Sequence, residues 1–103
     1  MFAVLGRADP PSDVIVQDIR DNSATVTWSK PIYQGADAIT GYKVVYKQTV
    51  TQFFYERSSY FTEITLRDLT PNKEYEVWVV SINAHGSSRR GNARKFSTLA
   101  KGI

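Results

Sequence analysis

Side chains able to do acid–base, nucleophilic or metal chemistry are few in this 103-residue chain: one histidine, His85, no cysteine, and ten carboxylates. Without cysteine there is no thiol nucleophile, thiolate metal site or disulfide framework. A serine–histidine–carboxylate arrangement would have to be built around His85, which lies between Ala84 and Gly86 in what reads as an exposed, solvated turn. Asp9, Asp13, Asp18 and Asp21 are spaced along a strand and not around a calcium-binding loop. No glycine-rich phosphate cradle is present. The expectation is a non-enzymatic chain with no cofactor and no metal site. What remains is binding chemistry. Phe53, Phe54 and Tyr55 precede Glu56 and Arg57, and Tyr60 and Phe61 follow. So many aromatics exceed what one face of a short edge strand can bury, and aromatics with Arg are enriched among interface anchors. Arg89, Arg90, Arg94 and Lys95 form a basic cluster that would attract an acidic protein surface, a sulfated glycan or phospholipid headgroups.

The net charge of +3 is unevenly distributed. Residues 1–76 are net −2, whereas after Glu76 there is no acid and Arg89, Arg90, Arg94, Lys95 and Lys101 are all positive. A general nucleic-acid-coating protein is excluded by this asymmetry, and nucleic acid is not an expected partner. At 42% hydrophobic and 22% charged, the chain is expected to fold. Its apolar runs, such as Val77 to Val80, are far below the roughly 18 residues that span a bilayer. Met1 to Leu5 is too short for a secretory signal.

The elements that must position these groups follow from a period of two. Ala24 to Ser29 alternates apolar or small residues with hydroxyls. The same period returns in Tyr42–Lys47, Thr62–Leu66 and Tyr75–Ile82, where β-branched and aromatic residues dominate. Val14–Val16 with Ile19, Gln52–Glu56 and Phe96–Thr98 complete about seven short strands separated by turn formers, the pattern of an antiparallel sandwich. Pro10-Pro11 should open the first, edge strand. Val16, Ile19, Val26, Trp28, Ile39, Tyr42, Val44, Tyr46, Ile64, Leu66, Leu69, Tyr75, Val77, Val79 and Phe96 are expected to face inward. Lys43, Val45 and Lys47 then point outward beside Trp78, Val80 and Ile82.

Pro10-Pro11, Val14, Val16, Ser23 to Trp28 with Pro31, and Ile39 to Val44 resemble the first three strands of a fibronectin type III domain. Leu69-Thr70-Pro71-Asn72-Lys73-Glu74-Tyr75 is similar to that family's corner motif, in which a leucine ends strand E and the tyrosine hydroxyl bonds back to loop backbone. Asn83 to Ser87 is similar to the exit from strand F, and Phe96 to Thr98 to strand G. The resemblance implies an all-β, seven-stranded antiparallel immunoglobulin-like sandwich of fibronectin type III topology over residues 10–99. Residues 1–9 are then a linker or cloning remnant, and residues 100–103 a C-terminal linker. Trp28, Leu69, Pro71 and Tyr75 take structural roles. Arg90-Gly91-Asn92 stands where some members carry an Arg-Gly-Asp integrin motif, and an amide cannot supply the carboxylate that coordinates the receptor's metal.

Three candidate binding features result. Trp78, with Val45 and Val80, would anchor a protein contact; alternatively Lys stems or Arg94 cover its ring. Phe54 and Tyr55 would belong to an exposed aromatic segment, or that segment folds back on its own domain. Arg89, Arg90, Arg94 and Lys95 would form an acidic-surface or sulfated-glycan site, or remain a solvated loop. The resemblance implies a spacer and protein-interaction module of a cell-surface receptor, adhesion or matrix protein, contacting another protein or neighbouring domains without direct membrane insertion. Extracellular placement has no Asn-X-Ser/Thr sequon to support it. The alternatives are an intracellular sarcomeric or scaffolding module and an accessory domain of an enzyme.

Overall fold

The computed structural model describes residues 6–103; residues 1–5 of the expected N-terminal linker lie outside the described residues. Strand β1 (Ser12–Gln17) starts directly after Pro11, followed by β2 (Ala24–Ser29), β3 (Gly41–Gln48), β4 (Tyr55–Ser59), β5 (Glu63–Leu66), β6 (Glu74–Asn83), β7 (Gly86–Ser87) and β8 (Arg94–Ser97). One sheet has the order β1-β2-β5; the other has β4-β3-β6, with both β7 and β8 pairing to β6. All pairings are antiparallel. The seventh strand is thus broken in two around residues 88–93, which raises the count from the expected seven to eight. The expected strand at Gln52–Glu56 lies further along, at Tyr55–Ser59, so Phe53 and Phe54 belong to the preceding loop.

Alternation places the core. Tyr42, Val44 and Tyr46 on β3 meet Tyr75, Val77 and Val79 on β6, and Val26, Trp28, Leu66, Leu69 and Phe96 close the cluster, with Val16, Ile19, Ile39 and Ile64 packed against it. All fifteen residues expected inward are found there. Trp28 meets Tyr42 edge-on at 5.4 Å, and Tyr75 stacks on Phe96 at 5.6 Å. Burial of a phenol demands a partner: the Tyr75 hydroxyl oxygen accepts the Thr70 N–H at 2.8 Å, closing the turn after Leu69 and Pro71.

Both ends of the described chain are tied to the sandwich. Within the expected linker, Ala8 is buried and the Asp9 N–H donates to the Tyr33 carbonyl. Buried Asn83, at the end of β6, donates from Nδ2 to the carbonyls of Gly6 (2.6 Å), Gln34 and Asp37, and its Oδ1 accepts the His85 N–H. Gly35 sits at φ +88, and a Cβ there would collide with the Gly6 carbonyl oxygen. At the opposite end the Leu99 N–H donates to Arg20 O, and the Gly102 N–H to Asp21 Oδ2. Among the described residues no helix is long and apolar enough to cross a membrane.

Candidate functional site

The outer face of β3 and β6 carries the candidate site. Val45 lies directly opposite Trp78, and both are half-buried. The rings of Trp78 and Phe54 are 6.1 Å apart, tilted by 38°. The Arg90 guanidinium lies 4.9 Å from the Trp78 ring centre and 5.6 Å from that of Phe54, touching both. Such stacking contributes about 0.5–2 kcal/mol depending on how dry the pair is.

Local hydrogen bonds explain why these side chains meet. After β7, the Ser88 N–H donates to Ser81 O at 2.8 Å and the Ser88 hydroxyl oxygen accepts the Ser81 N–H at 3.0 Å. The loop is thereby pinned to β6 two residues before Arg90. On the other side, Lys47 is only 8% exposed. Its ammonium donates to the carbonyls of Gln48 (3.2 Å), Thr49 (3.1 Å) and Thr51 (2.9 Å), and lies 6.0 Å from the Phe54 ring centre. That cation holds the loop that delivers Phe54 to the face.

Several expectations need correction. Val80, expected to point into solvent beside Trp78, is 7% exposed and offers no surface. The cation over Trp78 is Arg90; Arg94 instead donates from Nε to the Val14 carbonyl at 2.9 Å, stitching β8 to β1. Lys47 is enclosed by its own loop. Phe54 and Tyr55, expected in one feature, diverge: Phe54, in the loop before β4, joins Trp78, while Tyr55, the first residue of β4, stacks on Tyr46 at 5.5 Å. All five clustered aromatics, Phe53, Phe54, Tyr55, Tyr60 and Phe61, are exposed.

Each of the four basic candidates has its own neighbour. Arg89 pairs with Asp9 at 3.3 Å, Arg90 lies on the rings, Arg94 is bonded to β1, and Lys95 sits opposite Glu76. Arg89, Arg90 and Arg94 line an open cleft of about 390 Å³ with Pro10 and Pro11, and Asp13 enters the same cleft. His85, expected to be merely solvated, holds Asp37 Oδ2 at 2.7 Å through Nε2. Sequence reading missed Asn83, Lys47 and the His85–Asp37 pair. Hydrophobic period carries no signal for polar partners: Asn83 bonds loop carbonyls distant in sequence, Lys47 the carbonyls of the loop that follows it, and His85 a carboxylate 48 residues away. Among the described residues no group of three or more His, Asp or Glu side chains is placed to hold a metal ion. Burial raises the Tyr42 phenol above the usual value of 10.0; burial raises Tyr46 as well, and the Arg57 charge partly opposes that rise.

Two antiparallel sheets in this order, closed by a tyrosine corner, define an immunoglobulin-like β-sandwich. The chain belongs to the fibronectin type III domain family, whose sequence model matches residues 9–97. It is 34% identical over 83 residues to a Kelch domain-containing protein of Saccharolobus solfataricus, covering 78% of this chain and 11% of that protein. It is 30% identical over 96 residues to human fast-type myosin-binding protein C, covering 89% of this chain and 8% of that protein. The crystal structure of domains A168–A170 of titin matches with a TM-score of 0.85 and 26% identity, over 90% of this chain and 32% of the titin fragment. The chain thus spans about a tenth of the length of the curated relatives it matches.

Proposed function

We propose that this chain is a non-catalytic spacer and protein-interaction module of an intracellular scaffolding protein of the sarcomeric kind, making its contact through Phe54, Trp78 and Arg90. The carrying observation is the exposed part of this cluster: Phe54 is 47% exposed, and Arg90 stands over its ring and makes no ion pair among the described residues. Rigid aromatics with Arg in a small patch are the composition of an interface anchor. Similarity to titin and to myosin-binding protein C favours intracellular placement over the extracellular one. The ties at both ends of the sandwich suit a spacer, because they limit swivelling of whatever adjoins them.

An antibody against this chain should label expressing cells only after permeabilisation; labelling of intact cells would place the module outside. Affinity capture should recover a partner with the wild-type chain and lose it with Phe54→Ser, whose melting temperature stays close to wild type because Phe54 lies outside the core. Retention of the same partner by the variant would remove this face from consideration.

A further inference from the structure

Among the described residues strand β4 ends its sheet: it pairs with β3 on one side and with no strand on the other. A five-residue edge leaves outward N–H and C=O groups unpaired, a template for one more strand. The far edges are treated differently. There, β8 lies against β1 and Arg94 bonds across the gap to the Val14 carbonyl; on this side β4 touches β5 and is tied to it at its end, where the Ser59 hydroxyl donates to Glu63 O at 3.1 Å, while residues 55–58 gain no second partner strand among the described residues.

Side chains along β4 divide by face. Outward, Glu56 pairs with Lys43 at 3.6 Å. Inward, Tyr55 stacks on Tyr46, and Arg57 lines a cleft of about 270 Å³ with Arg67, Asp68 and the Tyr75 ring. Among the described residues neither Arg57 nor Arg67 makes an ion pair. The cleft therefore presents two guanidinium groups against one carboxylate. Tyr60 and Phe61, 86% and 77% exposed, stand just beyond the strand's end.

We propose that β4 accepts an extended segment of a partner protein as an added strand, carrying a carboxylate toward Arg57 and Arg67. Charge decides the occupant. A second copy adding its own β4 in full overlap would be related by a two-fold axis normal to the sheet, which places Arg57 opposite Arg57 and opposes pairing by like charge. An acidic partner strand meets the surplus cations instead, while its main chain satisfies the open edge. This contact is separate from the Phe54–Trp78–Arg90 face and does not depend on it.

The test uses the whole 103-residue chain, labelled with ¹⁵N, and a synthetic seven-residue peptide of alternating Thr and Val with a central Glu. Expected are amide shifts concentrated at Tyr55–Ser59, slowed exchange of alternate β4 amides, and loss of binding when alternate peptide amides are N-methylated. Replacing the central Glu by Lys, or using Arg57→Ser in the protein with its fold checked by circular dichroism, should weaken binding by about two- to fivefold. Equal binding by the N-methylated or Lys peptide would overturn the proposal, as would shifts mapping to Phe54 and Trp78 in place of β4. Sedimentation showing a wild-type monomer and self-association only in Arg57→Ser would support the charge argument; a wild-type dimer that is lost in Arg57→Ser would overturn the choice of occupant.

Discussion

Replacing Lys47 by Met keeps most of the side-chain volume and removes one charge from a nearly enclosed position. Three carbonyls lose their donor, but not equally. Gln48 O keeps the Thr51 N–H at 3.1 Å and the Thr51 hydroxyl at 3.3 Å, whereas Thr49 O and Thr51 O face the ammonium. Leaving a buried acceptor unsatisfied costs about 1–3 kcal/mol. Desolvation of the ammonium, which disappears in the variant, offsets part of this. The expected net loss is about 2–4 kcal/mol, or roughly 10–25 °C in melting temperature at this size. Urea denaturation followed by circular dichroism measures it, and increased amide exchange at Thr49–Phe54 localises it. Lys47→Arg should recover only part, since a planar fork cannot aim at three carbonyls in the same way. A loss below about 0.5 kcal/mol for Lys47→Met would refute the reasoning, because it would mean water serves those carbonyls as well as the ammonium does.

Tyr75→Phe removes the acceptor of the Thr70 N–H and should cost about 1–3 kcal/mol, read as a lower urea midpoint with unchanged slope; a change under about 0.5 kcal/mol would show the corner to be held by Leu69 packing alone. Tyr42 and Tyr46 hold their protons more tightly folded than unfolded, so the stability this represents is complete below about pH 10 and is lost as pH rises through the folded values. Phenolate absorbance should show a late-titrating component that shrinks in Tyr42→Phe and in Tyr46→Phe, and Tyr46→Phe should flatten the alkaline fall in stability; an absorbance change above pH 10 that neither substitution reduces would contradict the burial argument.

The core of this protein was legible because a strand alternates its side chains with a strict period of two. Val26, Val44, Leu66 and Val79 need no knowledge of loop paths to be assigned inward. Tyr75 was legible for a related reason, since a short corner with a buried phenol has few nearby groups to bond. Legibility failed where alternation ceases to report burial. Val80 points to the outer face and is nonetheless covered, and Lys47 follows the period but is enclosed by the four residues after it.

By itself the sequence determined the fold class, the inward face of every long strand and the concentration of positive charge after Glu76, all consequences of local pattern and composition. Tertiary structure alone decided which cation meets Trp78. That outcome hangs on Ser88 bonding to Ser81 and so setting the path of the loop to Arg90, while Arg94, equally charged and four residues further on, is drawn to the Val14 carbonyl. Likewise, the opposed faces of Phe54 and Tyr55 depend on where β4 begins. Period sorts residues by side, but only pairing register and loop closure say which side chains meet.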